Sequence, residues 1–300
     1  MSMENSLRRP LSLRRSWMFV PGMDENKQRA AIAAGADVVV ADLEEFTLMG
    51  DRPEARRRIV DLLQECRESA VVGAVRINKL DEDGRVDLAQ IMPGKPHVVF
   101  LPHVETPEHI LALDMEISRL ETLHGLAPGA TEIVPTIESA AGLLSLGSIL
   151  RASSRVNACL LAAEDLAANL GSERGVDGIE LQYARSRFLL ECVAAGCVAI
   201  DCPFTFRASG ALRLDLTVAR RLGFKAKCVV FPEHVAVVNR SFTPSDLDVQ
   251  EAHQLIAAYE AQSRADVDNI ESWIDAPCCN NARRLLARHS EFLKFNDALR

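Results

Sequence analysis

Eight short apolar runs recur along the chain, and nearly every one is followed by a segment with helical patterning. The runs are Ser16–Val20, Asp37–Ala41, Val71–Val75, Val98–Leu101, Thr131–Ile137, Val156–Ala162, Val198–Asp201 and Lys227–Phe231. Several, such as DVVVA at 37–41, are apolar without alternation, as expected of strands covered on both faces of a parallel sheet. Between them the pattern predicts helices from an Asp24 cap to Ala34, then over Pro53–Glu68, Asp87–Ile91, Pro107–Leu123, Ala140–Arg151, Val176–Ala195, Leu212–Leu222 and near His234–Asn239; residues 163–171 read as a turn. Eight strand–helix units in about 230 residues favour an α/β fold closed into a TIM (β/α)8 barrel over an open sheet. No GxGxxG or GxxxxGK[ST] follows any run, which removes the Rossmann and P-loop alternatives.

Residues 1–13 are polar and arginine-rich and are expected to be mobile. The barrel is assigned to 14–243, and Thr243-Pro244-Ser245 breaks its pattern. A C-terminal helical extension follows over 244–300, with helices at Asp246–Arg264 and Asn281–His289 and a turn at Glu271–Pro277. So short a tail cannot build its own core. It is expected to cover the barrel or a neighbouring subunit, which points to a homo-oligomer, a trimer or hexamer.

The formal charge of −8 and the lack of a dense basic block argue against a nucleic-acid partner. No stretch approaches the roughly 18 apolar residues needed to cross a membrane, and no apolar run follows the first arginines as a signal peptide would require. The eight cysteines have no paired CxxC spacing. Cys159, Cys197 and Cys228 lie in or beside apolar runs, where a thiol behaves as a small hydrophobe, whereas Cys278 and Cys279 are adjacent in a turn-like stretch. This is the usage of a reduced, cytoplasmic protein. Arg52–Arg58 reads as a solvated helix face; Arg8–Arg15 has the charge to meet an anionic cofactor.

The runs end on Asp42 and Glu44, Arg76, Glu138, Asp165 and Asp201, and a barrel gathers such ends on one rim. Glu138 and Asp165 end consecutive runs. Two acids so placed suit a hard cation, since Mg2+ takes one or two carboxylates plus water and substrate oxygens; the alternative is that each caps the helix after it. Converging carboxylates repel, and a divalent ion relieves that repulsion. Arg76 offers a planar fork for a substrate carboxylate, or a structural salt bridge to one of the acids. His103, in LPHVE, either faces the site or is structural. No Ser-His-Asp or Cys-His set can be assembled, so covalent catalysis is disfavoured.

The segments RRSWMFVPG (14–22), DLEE (42–45), VRIN (75–78), LPHVETPE (101–108), PTIESAAG (135–142), AAEDLAANLG (162–171) and YARSRFLLECVAAG (183–196) follow one another in this order. Together they resemble the citrate lyase β-subunit-like branch of the HpcH/HpaI aldolase superfamily, the acyl-CoA lyases, from about Arg14 to Arg288. The resemblance implies a TIM barrel with Mg2+ held by Glu138 and Asp165, Arg76 on the substrate carboxylate or oxo group, and Asp42 and Glu44 holding metal-bound waters. It implies that Arg15 and Phe19 lie where a coenzyme A or carrier thioester approaches. SWIDAP resembles a family element whose aspartate, here Asp275, reaches a neighbouring subunit's site as acid or base. The chain departs from the pattern at His103, where the family has lysine, and at Phe231, where it has histidine. The implied activity is retro-Claisen cleavage of a 3-hydroxyacyl-CoA thioester, malyl-CoA or citramalyl-CoA, to acetyl-CoA and glyoxylate or pyruvate. A thioester hydrolase of malate synthase type, an aldolase on free 2-oxo acids, a citryl-carrier-protein lyase subunit and a non-catalytic subunit are the alternatives.

Overall fold

The computed structural model describes residues 8–207, 209–262 and 273–299. Eight parallel strands close on themselves in sequence order: β1 Ser16–Pro21, β2 Val38–Asp42, β3 Val72–Arg76, β4 Val98–Leu101, β5 Glu132–Ile137, β6 Ala158–Leu161, β7 Val198–Asp201 and β8 Ala226–Val229, with β8 pairing back onto β1. The helices are α1 Glu25–Ala33, α2 Arg52–Glu68, α3 Arg85–Ile91, α4 Pro107–Leu123, α5 Ala140–Leu144, α6 Leu146–Ile149, α7 Ala163–Leu170, α8 Gln182–Ala194, α9 Ser209–Leu222, α10 Pro232–Phe242, α11 Asp246–Ala261 and α12 Ala276–Ala298. The TIM barrel anticipated from the eight apolar runs is therefore the fold.

One residue in two along each strand faces the barrel axis. Trp17, Phe19, Val38, Val40, Val72, Ala74, Val98, Phe100, Val134, Ala158, Leu160, Ile200, Ala226 and Cys228 form a single buried cluster. The large rings fill its middle: Phe100 meets Trp17 and Phe19 edge-on, with centroids 5.7 and 5.3 Å apart. That period of two decides which residue of the next layer points inward at the carboxyl ends.

Three local expectations are corrected. The helix expected over Ala140–Arg151 breaks at Ser145 into α5 and α6. The one expected from Val176 begins only at Gln182, after a 3-10 turn at Ile179–Leu181 that follows Gly178 in the left-handed region. Residues 163–170, read as a turn, form α7, closed by left-handed Gly171. Within the stretch 1–13 expected to be mobile, Leu11–Leu13 forms a 3-10 turn with Leu13 buried, while residues 1–7 lie outside the described set.

The chain divides into two compact units, the barrel unit Arg8–Asn239 and a second that includes the chain from Arg240 onward. In the second, α11 begins with a reciprocal Ser245–Asp248 capping box, and α12 runs well beyond the expected Asn281–His289. Glu271 and Ser272 of the expected turn are outside the described residues. Among the described residues no helix is long and apolar enough to cross a membrane, and all eight cysteines are free thiols, Cys159 and Cys228 buried, Cys197 half-buried and Cys278 exposed.

Candidate active site

The inward phase selects among the strand-end residues. Asp42 follows Val38 and Val40, Arg76 follows Val72 and Ala74, and Glu138 follows Val134 and Thr136, so all three face the carboxyl mouth. Asp201 follows inward Ile200 and points outward, which removes it from the site. It accepts from Arg185 of α8 (2.9 and 2.8 Å) and from Lys227 Nζ (2.7 Å), and Asp215 of α9 pairs with both cations at 2.8 Å. This two-plus-two network welds β7 and β8 to their covering helices.

At the mouth, Arg76 is buried and held by three acids. Its Nε and Nη2 donate to the two oxygens of Asp42 at 2.7 and 2.5 Å, Nη1 pairs with Glu44 at 3.0 Å, and Nη2 with Glu45 at 3.2 Å. Its Cζ lies 5.3 Å from the Phe19 ring centroid and 5.9 Å from that of Phe46. Although burial opposes charge, Asp42 and Glu44 hold the guanidinium above its ordinary range. Arg76 thus makes the salt bridge offered as its structural role and also lines a cavity.

The oxygens of Asp42 are engaged within the chain. Besides Arg76, its Oδ1 accepts from the Glu44 N–H and its Oδ2 from the Phe46 N–H, each at 3.0 Å. Each oxygen already has two donors within the chain, which fills its usual lone-pair sites. Asp42 is a clamp on Arg76 and on the turn after β2. Glu44 keeps acceptor capacity. Burial pushes its carboxyl up, but the His103 contact and Arg76 outweigh that and leave it below the usual range.

Glu138 is buried, and its two oxygens differ. Oε2 accepts from His103 Nδ1 at 2.6 Å; Oε1 is buried with no hydrogen-bond partner among the described residues. The cap of α5 is Ser139, which accepts from Gly142 N at 3.1 Å, so Glu138 is not spent on capping. Gly142 is needed there, because a Cβ would sit 2.5 Å from the Val104 carbonyl oxygen. His103 itself has φ +52°, a left-handed conformation unusual for a residue other than glycine. Its Nε2 lies 3.6 Å from Glu44, so the imidazole bridges the two acids. Those contacts raise it to about 10 against the effect of burial. The sequence left His103 open between site and structure; the residue belongs to the site.

Asp165 is not at a strand end. It lies in the first turn of α7, four residues past Leu161, where the helix dipole favours its charge. It is exposed and lines a cavity of about 580 Å3 together with Phe19, Glu45, Phe46, Arg76 and Thr136. Phe231 also lines the cavity, with the Arg207 guanidinium 4.4 Å from its ring centroid. Arg15 is displaced from the site altogether. It precedes β1 at the amino rim, where its backbone N and guanidinium donate to Asp37 at 2.7 to 2.8 Å. Arg9 joins the same acid, and Arg8 and Arg14 bind Glu132, so the basic N-terminal stretch seals the bottom of the barrel. Asp275 belongs to the second unit, where it caps α12 by accepting from Cys278 N at 2.8 Å.

Among the described residues no group of three or more His, Cys, Asp or Glu side chains is arranged to hold a metal ion. A hard cation does not need three. Glu138 Oε1, orphaned and buried, and the exposed Asp165 carboxylate are the oxygen donors Mg2+ takes when water and substrate complete its shell. Five carboxylates (Asp42, Glu44, Glu45, Glu138 and Asp165) face the Arg76 guanidinium and the His103 imidazolium, an excess of negative charge that a divalent ion offsets. The residues present fit such an ion.

Comparison with known proteins shows the family. The citrate lyase subunit beta of Escherichia coli (strain K12) is 31% identical over 92% of this chain and 93% of its own length. The mitochondrial citramalyl-CoA lyase of Mus musculus is 30% identical over 91% and 85%. A solved citrate lyase beta subunit from M. tuberculosis, complexed with oxaloacetate and magnesium, superposes with a TM-score of 0.65 at 26% identity, covering 78% of this chain and 100% of that one. The profile of HpcH/HpaI aldolase/citrate lyase matches residues 15–232, which takes in all eight strands and every residue placed at the mouth. By that match the chain belongs to the HpcH/HpaI aldolase/citrate lyase family.

Proposed function

We propose that this protein is a Mg2+-dependent carbon–carbon lyase that cleaves a 3-hydroxyacyl-CoA thioester of malyl-CoA or citramalyl-CoA type into acetyl-CoA and a 2-oxo acid. The observation that carries this reading is the pairing of Glu138, with one buried unpartnered oxygen, and a guanidinium clamped at the same rim. The names of the relatives, citrate lyase and citramalyl-CoA lyase, support the reaction class. Glu138 and Asp165 would hold the ion, which when bound stabilises negative charge on substrate oxygens.

Arg76 binds and orients the carboxylate next to the carbinol carbon; Asp42 fixes its Nε–Nη2 edge in advance, and substrate takes the Nη1–Nη2 edge as Glu44 and Glu45 give way. A base takes the hydroxyl proton, the carbinol carbon becomes the oxo carbon, and the electron pair of the broken C–C bond passes to the thioester as an enolate. Protonation at carbon then gives acetyl-CoA. Asp275 of a neighbouring subunit is the candidate acid or base, which makes the working enzyme a homo-oligomer. The apolar walls around Phe46, Val230 and Phe231 exclude water from the enolate. Eight free thiols suit work in a reducing compartment such as the cytoplasm.

The test is a coupled assay of the purified chain with Mg2+ against malyl-CoA and citramalyl-CoA, following keto acid and acetyl-CoA together. EDTA-sensitive release of both in equal amounts is expected, and Glu138→Ala abolishes it. Free CoA without keto acid identifies a thioester hydrolase. Mg2+-dependent turnover that survives Glu138→Ala refutes the assignment of the ion-holding residue.

A further inference from the structure

At the carboxyl end of β5, Thr136 and, just past the strand, Glu138 carry oxygens that the protein leaves unsatisfied. One is Glu138 Oε1. The other is Thr136 Oγ1, on a side chain with no solvent exposure and no hydrogen-bond partner among the described residues. The carbonyl of Thr136 accepts from Val104 N at 3.2 Å, and the residue lies in register with Leu160 of β6. The hydroxyl does not turn back on the strand.

A buried hydroxyl without a partner is unfavourable, and native proteins leave few of them. Valine has nearly the same shape and no such cost, yet the position carries threonine. Its setting explains the choice. Thr136 lines the cavity that Arg76 and Asp165 also line, and the neighbouring wall residues Phe19, Leu160 and Cys228 are apolar. Among those apolar neighbours its hydroxyl is a polar mark on the wall of the cavity that the guanidinium also lines. The partner it lacks is an oxygen on whatever fills the cavity next to Arg76.

We infer that Thr136 is a specificity-determining residue whose hydroxyl donates to a carboxylate or oxo oxygen of the 2-oxo acid half of the substrate. The inference rests on the lyase reading and deepens it. Arg76 supplies the charge complement, Thr136 a directional contact made only by a ligand with an oxygen at that depth. Such a contact discriminates against analogues lacking the oxygen more strongly than an apolar wall can, because their binding leaves the hydroxyl buried and unpaired.

The test uses full-length protein with saturating Mg2+, and measures pyruvate and glyoxylate binding by titration calorimetry together with the thermal midpoint of the ligand-free protein. Thr136→Val is expected to weaken binding of the preferred acid about tenfold. Its ligand-free midpoint stays at or above that of wild type, since an unsatisfied hydroxyl has been removed. Thr136→Ser retains the hydroxyl and is expected within about twofold of wild-type affinity. Unchanged affinity in Thr136→Val overturns the inference and assigns the hydroxyl to bound water. Equal losses in the valine and serine variants with a lowered midpoint overturn it in favour of methyl packing. Wild-type protein that cleaves malyl-CoA or citramalyl-CoA while Thr136→Val binds normally refutes this inference alone; wild-type protein that binds neither acid refutes the lyase reading and the ligand assigned to Thr136 with it.

Discussion

Replacing Arg76 with methionine tests the clamp at the centre of the site. The side chain is about the same length and stays apolar against Phe19 and Phe46, so little packing is lost. What goes is the counter-charge of Asp42, which has no solvent exposure and receives two hydrogen bonds from the guanidinium. Removing one partner of a buried pair costs about 3–5 kcal/mol, out of a net stability of roughly 5–15 kcal/mol. At about 2–4 °C per kcal/mol for a domain of this size, the unfolding midpoint should fall on the order of 10 °C in calorimetry. The double variant Asp42→Asn with Arg76→Met removes both charges and should recover part of that loss, since the amide keeps one oxygen for the Glu44 and Phe46 N–H groups, while lyase activity stays abolished in both. Arg76→Lys retains the charge but not the fork, and should fall between wild type and the methionine variant. An Arg76→Met midpoint within about 2 °C of wild type, or a double variant no more stable than the single, refutes the argument that Asp42 is held as a buried anion by Arg76.

Two further outcomes follow from groups away from the mouth. Asp201→Asn leaves Arg185 and Lys227 buried with Asp215 as their remaining carboxylate, so a destabilisation of about 3–5 kcal/mol is expected. Because Asp201 faces away from the cavity, activity per folded molecule should not change; lost activity at an unchanged midpoint would return Asp201 to the site. At the amino rim, burial and the charges of Arg8, Arg14 and Arg67 depress His97 to about 4 despite Glu132. The native state keeps this ring neutral while the unfolded chain protonates near pH 6.5. Its contribution is intact above that pH and is lost as pH falls toward 4, by at most about 1.4 kcal/mol per unit. His97→Gln should flatten the fall in urea midpoint between pH 7 and 5, and parallel slopes for the two proteins would count against this.

The barrel was legible because its signal is coarse. Apolar runs such as Val98–Leu101 and Val198–Asp201 match their strands to the residue, since strands covered on both faces can be built from little else. The same property hides their phase. DVVVA is apolar on both sides, so nothing local says that Val40 and Asp42 face the axis, or that Asp201 faces the helices. Phase is set by closure of the whole sheet, a long-range property. The displaced residues have equally distant causes: Arg15 is drawn to the amino rim by Asp37, 22 positions away, and Asp165 is carried into a helix because Ala163–Leu170 buries Leu166 and Ala167. The trace of α7 in the sequence, an apolar stripe within eight residues, is too short to separate from a turn.

The division of labour among the five acids follows from acceptor capacity rather than from charge. Asp42 has both oxygens doubly occupied, Glu44 and Glu45 are drawn to Arg76, and His103 takes one oxygen of Glu138. Placement of the arginine therefore determines which carboxylates remain open. By engaging three acids it leaves open Glu138 Oε1 and the Asp165 carboxylate, the two groups we propose for the ion, while its guanidinium lies over the Phe19 ring. Lysine at 76, a single point charge, could neutralise one acid but not hold three at fixed angles. The left-handed backbone at His103 fits the same logic: it turns the imidazole toward Glu138, so that the carboxylate offers a single oxygen in one orientation. An ion held that way has positions left for substrate and water, which a pair of fully open carboxylates would tend to close.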